Sequence, residues 1–197
     1  MPPLILASAS PRRRELLSRL GLPFTVRPSD ADETPLAGES PRALVLRLAR
    51  VKARQVARPG ELALGADTVV ALAGRVLGKP ADDTEAAEML RQLSGREHEV
   101  WTGVALVAPG SGGEPARERA GACLTKVTFR TLSAAEIAAY VASGEPHDKA
   151  GAYGIQGAAA AFVSGLDGEH SNVVGLPLPL VGELLSGFVL PALSRRP

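Results

Sequence analysis

Apolar and polar positions along the chain alternate between short extended runs and helical stripes. Residues 4–6 are a short buried run, followed by small residues and a helix that Ser10 caps, Pro11 opens and Gly21 closes. A second extended run at 24–26 leads into an acidic, proline-bearing loop. Ser40-Pro41 repeats the cap-and-proline signal and starts a helix that runs to about 57, before Pro59-Gly60. Residues 62–74 read as a buried strand, 75–77 as a short strand pairing back on it, and 78–80 as a turn. A helix capped by Asp83 or Thr84 turns Met89, Leu90 and Leu93 inward. A central strand then holds His98, Trp101 and Thr102, and 109–115 is a Gly-rich hairpin loop. The return strand has period two, with Cys123, Thr125, Val127 and Phe129 on one face. That makes Cys123 a core residue and not a nucleophile. Ser133 and Glu136 form a capping box, with Leu132 and Ile137 at staple spacing. The helix they open turns Ile137, Tyr140 and Val141 inward and stops at Gly144. A strand over 159–163, a turn at Asp167-Gly168 and a last helix over 177–188 complete the order.

Composition narrows the class. A chain of 197 residues suits one largish domain, or two lobes of one. Its 45% hydrophobic and 22% charged content is that of a globular protein with a real core, and no apolar run reaches the length of a membrane span. The arginines follow the first apolar run instead of preceding it, so no signal peptide is expected, and a lone Cys123 fits a reducing compartment. A net charge of +1 and 4% aromatic residues argue against nucleic acid as a partner. Arginine outnumbers lysine 18 to 4, so each lysine merits inspection.

The candidate chemistry is anionic-ligand chemistry. The first amides of a helix lack internal partners and sit at the positive end of its dipole. At the first helix that end carries the Ser8 and Ser10 hydroxyls and, on its first turn, Arg12 and Arg13. This is what a phosphate chain needs; the alternative is a capped, arginine-rich surface helix. In the second helix Arg47, Arg50, Arg54 and Arg58 share one solvated side, while Lys52 falls in the apolar arc near Val45, Leu48 and Val56. An ammonium there needs an anion or a snorkelling exit to water. Asp67 and Thr68 interrupt the buried strand, and a carboxylate there must be hydrogen-bonded, metal-bound or shifted in pKa, which makes Asp67 the candidate general base. Lys79 is held by Pro80 at a strand end. Asp30, Asp32 and Glu33 are either metal ligands or a solvated loop. The segment 144–157, dense in glycine and polar residues, reads as a ligand-approaching loop outside the core, with charges at Glu145, Asp148 and Lys149. Its Gln156 offers a donor and an acceptor together, the pairing that reads a base edge. No phosphate-loop, dinucleotide or zinc signature is present, and His98, His147 and His170 are scattered.

Taken together, LASASPRRRELL, Lys52, GADTVV, GKP, SGREHEVWTG, GEPHDKAGAYGIQG and NVVGLPL resemble the Maf family of nucleoside triphosphate pyrophosphatases, in family order over nearly the whole chain. The resemblance implies an α/β fold in which a long, twisted mixed sheet is flanked by helices in two lobes of one domain spanning residues 1–197, with a nucleotide cleft between the lobes. It implies a cytoplasmic homodimer that cleaves a nucleoside triphosphate between the α and β phosphates with Mg²⁺ or Mn²⁺, clearing the nucleotide pool. By motif, Asp67 matches the family's catalytic base, and Ser8, Arg12, Arg13, Lys52 and Lys79 match its phosphate-binding residues. Glu33 and Asp67 are the metal candidates. Arg12, Thr68 and Gln156 match the branch acting on dTTP and UTP; a sister branch prefers 7-methyl-GTP. A nucleotide-binding regulator of cell division with little turnover is the alternative from another class. His170 stands where the family usually carries an aromatic residue.

Overall fold

The computed structural model describes residues 2–110 and 115–189. Seven strands, β1 (Leu4–Leu6), β2 (Phe24–Val26), β3 (Leu62–Leu72), β4 (Arg75–Leu77), β5 (Glu97–Ala108), β6 (Arg117–Phe129) and β7 (Val163–Asp167), form one mixed sheet. They pair in the order β2-β1-β3-β5-β6-β7, with β4 hairpinned on β3. β1 is parallel to both β2 and β3, whereas β4 on β3 and β7 on β6 are antiparallel. The helices are α1 (Pro11–Ser18), α2 (Pro41–Val56), α3 (Asp83–Leu93), α4 (Ala134–Ala142), α5 (His170–Val174) and α6 (Leu178–Val189). The expected α/β class, a mixed sheet with helices, is what the chain forms. Among the described residues no helix is long and apolar enough to cross a membrane.

The chain divides into two compact units. The first comprises Met1–Asp67, Thr102–Cys123 and Gly175–Pro197. Its small-residue core joins Ile5, Ala7, Ala49, Ala53, Val56, Ala63, Ala105 and Val107. Small side chains matter here because α2 lies directly on the strands. A Cβ at Gly65 would sit 2.1 Å from the Ala49 carbonyl oxygen, and one at Gly103 would sit 2.2 Å from that of Val45. Glycine in a strand marks such close backbone approach.

The second unit comprises Thr68–Trp101 and Leu124–Val174. Its core is larger in grain: Met89, Leu90 and Leu93 of α3 and Ile137, Tyr140 and Val141 of α4 join Phe129, Tyr153 and Phe162. The capping box of Ser133 and Glu136 is formed as expected.

Several expectations need correction. The cap of α3 is Asp82, whose side chain accepts from the Glu85 amide. The strand expected over 159–163 is a 3₁₀ turn at Ala158–Phe162, and the strand follows at Val163–Asp167. Four consecutive alanines supply neither period-two patterning nor β-branched side chains. The segment 144–157 was expected outside the core, yet Gly151, Ala152, Tyr153 and Gly154 are buried, because Tyr153 plugs the aromatic cluster. Cys123 is half-buried, and α5 had no counterpart in the hydropathy pattern. The arginine side of α2 is paired as well as wet: Arg47 bonds Glu39, while Arg50 and Arg54 share Glu118. The hairpin loop expected at 109–115 lies largely outside the described residues.

Candidate active site

The first unit assembles a charged cluster at the start of α1. Ser10 caps the helix by accepting from the Arg13 amide. The buried Ser8 Oγ accepts from the Ser10 amide at 3.2 Å and from Arg13 Nη1 at 3.4 Å. Arg13 Nε donates to the Gly175 carbonyl at 2.9 Å, which aims its guanidinium. Gly175 has a φ of +120°, a backbone conformation that a side chain would resist. Burial pulls Arg13 below the ordinary arginine range, while Asp67 and Glu33 push it back up and neighbouring Arg12 pushes it down. Arg12 is half-buried on the same turn.

The seating of α2 on Gly65 sets the second half of the cluster. Gly65 and Asp67 lie two residues apart on β3 and therefore on the same face, the one α2 covers. Where Gly65 meets Ala49 and Ala53, Asp67 meets Lys52, the residue just before Ala53. Lys52 Nζ donates to Asp67 Oδ1 at 2.7 Å and pairs with Glu33 Oε1 at 2.5 Å. Lys52 and Asp67 are each only 6% exposed. The lysine in the apolar arc has thus found its anion. Asp67 carries a pKa raised above the ordinary aspartate value: burial is the largest cause, Lys52 and Arg13 pull the other way, and Glu33 adds to the rise. Such a carboxylate accepts a proton more readily than a free aspartate does.

Of the acidic loop, only Glu33 reaches this cluster by an ion pair. Asp32 accepts from the Thr34 amide and hydroxyl, and Asp30 from the Gln55 side chain. The Glu33 and Asp67 carboxylates converge on one point, now held by an ammonium, so their hard oxygens suit a small divalent cation. Among the described residues no three His, Cys, Asp or Glu side chains group to hold a metal unaided. Phosphate oxygens and water would complete the shell, the usual arrangement for Mg²⁺.

Three expected site residues belong to the second unit. Thr68 follows Asp67 on β3, half-buried, and alternation points it to the opposite face of the strand. Lys79 is exposed in the turn after β4, where the Gly78 carbonyl accepts from the Gly151 amide at 3.0 Å. Gln156 is exposed in a turn at 154–157. His170 is exposed at the first residue of α5.

Residues 3–188 match the family described as "Maf-like protein". The chain belongs to the Maf family. A dTTP/UTP pyrophosphatase of Moorella thermoacetica is 56% identical to it over 99% of this chain and 100% of its own. Proteins of the same name from Sphingopyxis alaskensis and Anaeromyxobacter dehalogenans are 54% and 55% identical, covering 97% and 96% of this chain and 99% and 97% of their own. A HAM1 protein from Coxiella burnetii shares the fold, with a TM-score of 0.51 over 95% of this chain and 100% of that one, at 18% identity. Two glycines serve this candidate site in ways the motifs that contain them, GADTVV and NVVGLPL, did not reveal: Gly65, which lets α2 close on β3, and Gly175, which aims Arg13. A glycine inside an otherwise apolar strand was the legible sign of the first. The role of the second depends on a contact between residues 162 positions apart, which no local pattern shows.

Proposed function

We propose that the chain hydrolyses dTTP and UTP between the α and β phosphates, yielding the nucleoside monophosphate and pyrophosphate. The observation that carries this reading is the buried Asp67 carboxylate, paired with Lys52 and within electrostatic reach of Arg13. The names of relatives more than half identical along the whole chain supply the substrate. Asp67 takes a proton from the attacking water as its oxygen bonds to the α phosphorus and the bond to the β-phosphate oxygen breaks. Arg12, Arg13, Lys52, Lys79 and Ser8 hold the phosphates and neutralise charge that moves onto the leaving pyrophosphate. Glu33 and Asp67 would hold a divalent cation, Mg²⁺ or Mn²⁺, which when bound would supply Lewis-acid neutralisation of phosphate oxygens. Arg12, Thr68 and Gln156 set the preference for a pyrimidine nucleotide. The enzyme works as a cytoplasmic homodimer and clears unwanted nucleotides from the pool.

The test is pyrophosphate release from a panel of nucleoside triphosphates with Mg²⁺, with Mn²⁺ and with chelator. Metal-dependent release favouring dTTP and UTP is the expected outcome. Release favouring 7-methyl-GTP would overturn the substrate assignment, and binding without release from any nucleotide would overturn the reaction.

A further inference from the structure

Residues 154–157 form a tight turn, in which the Gly157 amide donates to the Gly154 carbonyl at 3.0 Å. Ile155 and Gln156 are its two central residues. Glycines bound this turn on both sides, and a third, Gly151, sits just upstream at a φ of +68°. So glycine-rich a segment has much conformational freedom to lose on being fixed. Left to itself the turn would present Gln156 in many directions.

Two side chains from one short stretch of chain hold it. Upstream of the turn, the Gly154 amide donates to the Tyr140 hydroxyl oxygen at 3.2 Å. The Tyr140 hydroxyl in turn donates to Glu145 Oε1 at 3.0 Å. Downstream, Glu145 Oε2 accepts from the Ala158 amide at 3.1 Å. The relay therefore runs from one flank of the turn to the other through two side chains. The carboxylate lies so close against the chain that a Cβ at Gly157 would come within 2.0 Å of Oε1. Glycine at 157 leaves the room that the clamp needs.

The clamp is itself anchored. The Glu145 amide donates to Ser143 Oγ at 3.2 Å, and Lys149 Nζ donates to the Glu145 carbonyl at 2.6 Å. Tyr140 is buried, with its ring edge-on to Phe162 at 5.2 Å between centroids. Burial also raises the Tyr140 pKa well above the ordinary phenol value, so the hydroxyl keeps its proton and remains a donor. Glu145 and Lys149 thus have partners within their own loop.

We infer that Glu145 and Tyr140 are positioning residues for substrate selection, holding the 154–157 turn so that Gln156 presents its amide to the pyrimidine ring. This rests on the reading of Gln156 given above. Fixing the turn before the nucleotide arrives removes an ordering cost from binding.

The experiment compares kcat and KM for dTTP, UTP and GTP, with Mg²⁺, in the full chain and in Gln156→Ala, Glu145→Ala, Glu145→Gln, Tyr140→Phe and the double variant Glu145→Ala/Gln156→Ala. Glu145→Ala raises KM for dTTP and UTP by about tenfold, the size of one well-placed hydrogen bond lost. GTP is affected less, so the preference narrows. Tyr140→Phe acts in the same direction with a smaller effect, and Glu145→Gln restores part of the preference because its amide oxygen still accepts. The double variant is no less selective than Gln156→Ala alone. Thermal melts of each variant verify folding, and Tyr140→Phe carries the test if Glu145→Ala does not fold. An equal loss for all three nucleotides would overturn the proposal, as would an unchanged preference in Glu145→Ala where Gln156→Ala narrows it. If Gln156→Ala itself leaves the preference unchanged, the reading of Gln156 falls, and the positioning role falls with it.

Discussion

Each unit buries titratable groups, and the two do so in opposite ways. In the first, Asp67 and Lys52 are buried as a charged pair, with Glu33 as a second anion and Arg13 as a second cation. In the second, His98 is 2% exposed and neutral: its Nε2 meets the Tyr153 hydroxyl at 2.8 Å, and Phe129 and Tyr153 pack edge-on around its ring. Burial lowers the His98 pKa to about 4. A buried ion pair contributes little net stability, because desolvation consumes much of the attraction. A neutral imidazole with a hydroxyl partner in an aromatic cage avoids that cost. The aromatic cluster serves packing, the charged cluster is the one proposed for chemistry, and substitutions should separate the two roles.

Asp67→Asn gives the largest effect on rate. Pyrophosphate release falls by about 10²–10⁴-fold, the range for a lost general base. The melting temperature does not fall with it. Burial raises the Asp67 pKa, so the stability this group contributes belongs to its protonated form and is lost as pH rises through the raised value. At neutral pH the carboxylate is a net cost, which the neutral amide removes. A variant that keeps its activity would remove Asp67 as the base; one that loses its fold would show the pair to be structural.

Lys52→Met comes next. Deleting one preorganised cation costs about 10²–10³-fold in kcat. It also leaves Asp67 and Glu33 facing each other without the ammonium that pulls the Asp67 pKa down. With Asp67 as the base and its pKa raised by burial, the acid limb of kcat/KM is expected above the ordinary aspartate range, and in this variant it should move to higher pH. A limb that stays in place would mean that another group sets it.

Smaller effects belong to the aromatic cluster. Tyr153→Phe strands the His98 Nε2 and costs about 1–3 kcal/mol of stability in denaturant melts. The His98 pKa is depressed on folding, so the stability it contributes is complete above the unfolded value of about 6.5 and is lost as pH falls toward about 4. Melts at pH 7, 5.5 and 4.5 should show that loss, and His98→Leu should flatten it. An identical slope in His98→Leu would assign the acid sensitivity to other groups.

These contrasts also separate what was legible from what was not. Ser10-Pro11, Ser40-Pro41 and the Ser133/Glu136 box announced three helix starts, because capping is a contact within one turn of chain. The odd placement of Lys52 and Asp67 on apolar surfaces was equally visible, since hydropathy period shows which face a residue occupies. The burial of Tyr153 was not. It lies in a segment whose glycines read as loop, and only the cage around His98 and Phe129 draws it inward.

Local order and the unusual residue types were therefore determined by the sequence itself. Caps, turns and periodic faces depend on neighbours a few positions apart, and the chain carries those neighbours with it. The tertiary structure alone decided which charge meets which. Lys52 finds Asp67 because Gly65 and Gly103 let α2 press onto β3 and β5. Arg13 is aimed by the carbonyl of Gly175, and Gln156 stands on a turn clamped by Tyr140 and Glu145. Each of these pairings depends on backbones approaching within ångströms across long sequence separations, a distance set by packing and not by any local pattern.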